Sequence, residues 1–253
     1  MGELLEVENV SKYFGGLGAN ENLTFNIRAG EIIGLIGPNG SGKTTLINVI
    51  TGNYPADSGR IRFRGRDIIG LTPYAINRLG IARTYQVVQP FVGMSVQENV
   101  ATGALFGRSG KNRTIKAAVE KADELLALCH MMEKRDELVE NLTIADVKRL
   151  EIAKAMTTDP YLLLLDEVMA GLNPREIEDA LEMIGKINKM GVTLLVVEHV
   201  MKAVMAISRR VIVLHQGRLM AIGNPEAIVK DEQVIKAYLG EKYSIRRKKF
   251  GGN

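Results

Sequence analysis

The sequence predicts an α/β fold: a phosphate-binding core with a mixed sheet, a smaller antiparallel β subdomain, and a helical subdomain inserted into the core. Three observations carry this prediction. Residues 37–45 read GPNGSGKTT and match the phosphate-binding pattern G-x-x-x-x-G-K-[ST], set between an apolar strand-like run, EIIGLIG, and a helical run, TLINVITG. Two further runs, YLLLL at 161–165 and TLLVV at 193–197, have the unbroken hydrophobicity of strands buried on both faces. Residues 97–157 change character, and within them apolar residues recur at helical spacing.

Composition narrows the class. A chain of 253 residues with 46% hydrophobic content fits one large α/β domain. Its net charge of +4 is matched by four bases in the tail, Arg246, Arg247, Lys248 and Lys249, so the remainder is balanced and no protein-wide nucleic-acid footprint is expected. The tail reads as a solvated charge run. A single cysteine, Cys129, excludes an intrachain disulfide and suits a reducing compartment. The first ten residues lack a basic n-region and no apolar run approaches about 18 residues, so neither a signal peptide nor a membrane span is expected.

Residues 4–14 alternate apolar and polar and predict a strand, 22–28 a second one, and the pair an antiparallel sheet at the edge of the core. Phe14 precedes Gly15-Gly16 on a predicted loop. As a residue it reads as core packing, whereas an exposed aromatic there would stack on an adenine ring. In the loop that follows, Gly37, Pro38, Asn39, Gly40, Ser41, Gly42, Lys43, Thr44 and Thr45 are the candidate phosphate ligands. Glycines let the backbone wrap an anion, the N–H groups converge at a helix N-terminus, Lys43 reaches the β- and γ-phosphates, and the Thr44 hydroxyl suits Mg²⁺.

Downstream, 59–65 predicts a short strand, 66–82 a helix flanked by turns, and RTYQ the end of a β-rich stretch. Gln86 alone reads as a surface glutamine. Residues 115–129 predict an amphipathic helix with Cys129 on its apolar face, where Met131 and Met132 also read as packing. Residues 147–157 predict a second helix, and GRSGKNR at 107–113 a solvated basic turn. The 161–165 strand ends in Asp166 and Glu167. A carboxylate pair at a strand end beside a phosphate loop suits a metal-linked Asp166 and a Glu167 that orients or deprotonates water. Residues 175–190 predict a helix, and 193–199 a strand ending in His199, which as a residue reads as a locally bonded histidine. Residues 210–223 predict a hairpin and 225–239 a last helix.

Taken in order, these motifs resemble the nucleotide-binding subunit of ATP-binding-cassette transporters over nearly the whole chain. GPNGSGKT is similar to the Walker A loop, Gln86 to the Q-loop glutamine, LLLLDE to Walker B, AGLN at 170–173 to the D-loop, His199 to the switch histidine and Phe14 to the adenine-stacking aromatic. GIARTYQ and VIKAYLGE look most like the ATPases of branched-chain amino-acid importers, with lipopolysaccharide-export ATPases similar in the same ending. A soluble, non-transport cassette ATPase is the remaining alternative.

The resemblance implies a core over 1–87 and 158–253 and a helical signature subdomain over 88–157. It implies ATP and Mg²⁺ as ligands, with Glu167, His199 and Gln86 at the catalytic centre and Thr44, Gln86 and Asp166 around the metal. It also implies a peripheral location on the cytoplasmic face of a membrane. The implied partners are integral-membrane permease subunits, a second cassette facing this one head to tail and, indirectly, an extracytoplasmic solute-binding protein, with no nucleic acid. Three positions depart from the family pattern: LTIAD at Leu142–Asp146 replaces LSGGQ, Val168 replaces Pro, and Asn173 replaces Asp. Thr143 keeps a hydroxyl for the opposing ATP, but Ile144 and Ala145 add Cβ atoms and Asp146 adds a negative charge. The second cassette is thus expected in a homo- or heterodimer, with a heterodimer bearing an intact partner signature favoured over a tolerated variant whose helix N-terminus still supplies N–H donors.

Overall fold

A computed structural model of the chain describes residues 2–85, 90–108 and 114–238. In chain order the elements are β1 (Glu3–Phe14), β2 (Leu17–Arg28), β3 (Ile32–Ile36), α1 (Lys43–Ile50), β4 (Ser58–Phe63), β5 (Arg66–Asp67), α2 (Pro73–Leu79), β6 (Ile81–Arg83) and α3 (Val96–Leu105). There follow α4 (Ile115–Leu128), α5 (Ile144–Met156), β7 (Leu162–Asp166), α6 (Pro174–Lys189), β8 (Thr193–Val197), α7 (Met201–Ile207), β9 (Arg210–His215), β10 (Arg218–Gly223) and α8 (Pro225–Lys230).

The apolar runs form the centre of a mixed sheet of order β10-β9-β3-β8-β7-β6, parallel except for the β9–β10 hairpin. Every residue of β3, β7 and β8 is buried, which explains why these runs carry no polar alternation. Successive side chains still serve opposite faces. Leu162 and Leu164 pack with α1 and the second sheet, and Leu163 and Leu165 pack with the helices of the middle segment. That second sheet, β2-β1-β4-β5, is antiparallel throughout, as the closely spaced strand signals predicted. Among the described residues no helix is long and apolar enough to cross a membrane.

Four boundaries differ from the sequence expectation, each for a local reason. The second strand begins at Leu17, because it pairs with β1 out to Phe14. The expected 66–82 helix splits into β5, α2 and β6. Gly80 adopts φ 107 and ends α2, and the chain then pairs with β7. The last helix breaks at Asp231, whose carboxylate accepts from Gln233 and Val234 N–H and starts a new helical stretch over 232–238. Helix α5 begins at Ile144, three residues early, because Thr143 and Asp146 form a capping box. Cys129 is fully buried beyond the end of α4, where burial pushes its thiol up to about 12, so the core reading holds.

Candidate functional site

The phosphate loop runs from the end of β3 to the start of α1 and is braced from two sides. Asn20 of β2 donates to the Gly42 carbonyl (3.0 Å), and Gly217, in the β9–β10 turn, donates to the Ser41 carbonyl (3.1 Å). Gly42 has φ 99, and a Cβ there would lie 2.3 Å from the Ala19 carbonyl oxygen, so this glycine is required twice over. Lys43 opens α1 and donates from Nζ to the carbonyls of Gly37 (2.8 Å) and Pro38 (3.0 Å). Burial lowers its pKa, against the pull of Glu167 and Asp166.

The loop floors a cleft of about 740 Å³, ample for a nucleotide. Asn39, Gly40, Ser41, Gly42, Lys43, Thr44 and Thr45 line it, and Glu167 and His199 reach it from the C-terminal ends of β7 and β8. Gly37 and Pro38 contribute through the carbonyls that hold Lys43. Phe14 corrects the residue-level expectation of core packing. It is 45% exposed at the cleft rim, with Tyr54 edge-on to its ring at 5.3 Å. Its position leaves it able to stack on a planar base.

His199 lies two residues past β8, and its Nε2 is 2.7 Å from Glu167 Oε1. The locally bonded histidine expected from sequence thus has the other candidate catalytic group as its partner. Asp166, at the end of β7, is close enough to Lys43 and Glu167 to feel both charges. Its Oδ2 accepts from Arg83 (3.2 Å) in a pair that is 8% and 2% exposed, and Arg83 also donates to Asn48 Oδ1 (2.6 Å) on α1. Burial raises the Asp166 pKa, with Arg83 acting against it. Sequence reasoning missed Arg83, although it stands in the quoted RTYQ. Nothing in a lone arginine two residues past Ile81 announces a partner on β7. Gln86 lies outside the described residues.

The residues suit a magnesium ion in their chemistry. Thr44 and Asp166 offer the hard oxygen donors such an ion takes, few in number, with phosphate and water completing its shell.

The Leu142–Asp146 stretch stands apart from this cleft, at the start of α5. Thr143 caps the helix, accepting from Asp146 N–H (3.2 Å) and donating its hydroxyl to Asp146 Oδ2 (2.6 Å). Asp146 does not project toward solvent. It is 5% exposed and paired with Lys134 and Arg149. Burial pushes its pKa up, but Lys134 and Thr143 outweigh it and hold the carboxyl below its ordinary value. Ile144 is exposed, and Ala145 is buried.

The C-terminal segment also reaches the loop. Tyr238 packs against the cluster that includes Ile36, at the end of β3 just before the loop. Two truncations should therefore differ. Ending the chain after Lys242 removes Arg246–Lys249, which lie outside the described residues, and is expected to leave nucleotide affinity unchanged. Ending it before residue 232 also removes Val234 and Tyr238 and is expected to weaken nucleotide affinity. Equal losses in a fluorescent-nucleotide titration would contradict this division.

Comparisons agree with the geometry. Residues 20–170 match a family model described as ABC transporter, and residues 218–244 match one described as branched-chain amino acid ATP-binding cassette transporter. The chain is 41% identical over 250 residues to the high-affinity branched-chain amino acid transport ATP-binding protein LivG of Salmonella typhimurium, covering 94% of this chain and 98% of the relative. It is 38% identical over the same length, with the same coverage, to the corresponding protein BraF of Pseudomonas aeruginosa. A crystal structure of an ATP-binding cassette of an ABC transporter in its ADP conformation superposes with a TM-score of 0.85 and 31% identity, over 95% of this chain and 100% of that one.

Proposed function

The chain belongs to the ATP-binding-cassette transporter family, as the subunit that binds and hydrolyses ATP, and on that premise we propose that the transporter it powers imports branched-chain amino acids. The observation that carries the substrate class is the match over residues 218–244 to the branched-chain model. It favours amino-acid import over lipopolysaccharide export or a soluble, non-transport role. The test is solute-stimulated ATPase activity of the purified complex with its binding protein. Leucine, isoleucine or valine should raise the rate, and a complex deaf to all three would overturn the assignment.

In this reading residues 1–87 and 158–253 form the nucleotide core, and 88–157 form the helical subdomain that meets the permeases at the cytoplasmic face of the membrane. Phe14 stacks on adenine. The backbone from Gly37 to Thr45 and the Lys43 ammonium hold the polyphosphate. Thr44, Asp166 and Gln86 would hold Mg²⁺, which when bound neutralises phosphate charge. Glu167 takes a proton from the attacking water, and His199, within hydrogen-bonding distance of Glu167, keeps the carboxylate oriented and contacts the γ-phosphate.

The opposing cassette supplies its signature to this cleft, and Leu142–Asp146 faces the ATP of the partner. The Asp146 charge is neutralised inside the protein, so the expected repulsion is not the weakness of this signature. What remains is the Thr143 hydroxyl committed to Asp146, and Cβ atoms at Ile144 and Ala145 where the family pattern allows backbone approach. We therefore favour a heterodimer in which this chain's ATP is hydrolysed against an intact partner signature. Mixing the purified chain with its cognate second cassette should raise turnover well above the sum of the two. Rapid hydrolysis by the chain alone, unimproved by Ile144→Gly with Ala145→Gly, would rule the asymmetry out.

A further inference from the structure

The turn after Asp166 and Glu167 is held by charged groups to which the reading above gives no role. Lys148, on α5 just after the signature stretch, donates from Nζ to the carbonyls of Glu167 (2.9 Å) and Ala170 (2.5 Å). Glu198 is 1% exposed and accepts from Met169 N–H (2.6 Å). The Glu167 N–H donates to the Val197 carbonyl (2.9 Å). The backbone from 167 to 170 is thus bound from β8 and its following residues on one side and from α5 on the other.

This bracing has something to hold. Glu167 is in the left-handed region, with φ 54, which disfavours any residue with a Cβ. Such a conformation persists only where its surroundings over-determine it. Val197 fixes the N–H of Glu167, His199 meets its carboxylate, and Lys148 fixes its carbonyl. Lys148 alone among these comes from a different subdomain. Its ammonium is half-withdrawn from solvent, and burial lowers its pKa, against the pull of Glu198 and Glu167. Charge-assisted bonds in such surroundings are strong and directional.

We propose that Lys148 is a positioning residue for hydrolysis: by bonding the Glu167 carbonyl it fixes the left-handed turn that presents the Glu167 carboxylate to His199 and the cleft. The proposal rests on the reading of Glu167 as the base. It has a mechanical consequence. Because Lys148 rides on α5, a shift of that helix moves the carbonyl it holds. Placement of the base in one cleft is thereby tied to the element whose N-terminus faces the other cleft.

A double-mutant cycle in the purified transporter complex tests this. Lys148→Met keeps the aliphatic stem and loses the ammonium. It is expected to lower kcat roughly tenfold or more, since a misplacement of about 1 Å can cost about a hundredfold. KM and nucleotide affinity should stay within about twofold, because binding is uniform and the loss is confined to the chemical step. On a Glu167→Gln background, read by single-turnover hydrolysis, Lys148→Met should add nothing, because misplacing an absent base has no effect. Lys148→Arg, which can reach both carbonyls, should restore most of the rate. Full-speed Lys148→Met, an equal fractional loss on the Glu167→Gln background, or a parallel loss of nucleotide affinity would each overturn the proposal. Normal hydrolysis by Glu167→Gln alone would instead bring down the base assignment. If Lys148→Met yields no folded complex, Lys148→Gln, which retains one donor, enters the same cycle.

Discussion

Glu167→Gln is expected to bind ATP as tightly as the wild type or more tightly, and to hydrolyse it about 10² to 10⁴ times more slowly, the span of a general base. The geometry explains why binding and chemistry should separate. The carbonyl and N–H of residue 167 carry its bonds to Lys148 and Val197, and both survive the substitution. An amide also keeps the size of the carboxylate and can still bond His199. What disappears is the proton acceptor and one negative charge close enough to Lys43 to influence its titration. Losing that charge reduces repulsion against a polyphosphate in the same cleft. Phosphate release and fluorescent-nucleotide binding, measured side by side, check both halves. His199→Ala should be impaired too, since Glu167 then loses the partner at 2.7 Å. Near-wild-type turnover by Glu167→Gln would place the base elsewhere.

Much of this site was legible because its chemistry is written in contiguous stretches. The phosphate loop is nine consecutive residues, and its flanking strand and helix show in the hydrophobic pattern alone. The Asp166–Glu167 pair was legible for the same reason, at the end of an unbroken apolar run. What sequence could not give are the partners across the fold. Arg83 meets Asp166 because β6 and β7 are neighbours in the sheet, a pairing of elements far apart in the chain. Lys148 meets Glu167 because α5 packs beside the end of β7. Neither residue has a local signature, and a basic residue on a helix is usually a solvated one.

The altered signature shows a second kind of limit. From the residue types alone Asp146 adds a negative charge to the stretch, with no sign of where its carboxylate turns. The pattern Thr-x-x-Asp is also a helix start, and that local preference prevails here. The carboxylate turns back to the Thr143 N–H and hydroxyl and to Lys134. For Phe14 the residue-level expectation of packing erred in the opposite direction, while the family resemblance had already set it beside the base. Apolar character alone favoured burial, and only the closing of the β1–β2 hairpin over the loop leaves the ring at the rim of the cleft.

Lys43→Ala is the second substitution expected to have a large effect, and it should act on binding where Glu167→Gln spares it. Lys43 is the one cation in the loop sequence. A lost contact between unit charges at about 4 Å is worth up to about 4 kcal/mol at an effective dielectric constant near 20, roughly a thousandfold in affinity. Solvent in the open cleft reduces that figure, but a second effect adds to it. Without Lys43, the carboxylates of Asp166 and Glu167 face the polyphosphate with their nearest loop cation gone. The fold should survive. Alanine is well suited to the first turn of α1. The bonds from Asn20 to Gly42 and from Gly217 to Ser41 do not involve the Lys43 side chain. The expected result is therefore a protein with a melting transition near that of the wild type, no tight ATP binding and no measurable hydrolysis. Unchanged Mg²⁺–ATP affinity with near-wild-type turnover would show that the loop, despite its sequence and shape, does not hold the phosphates.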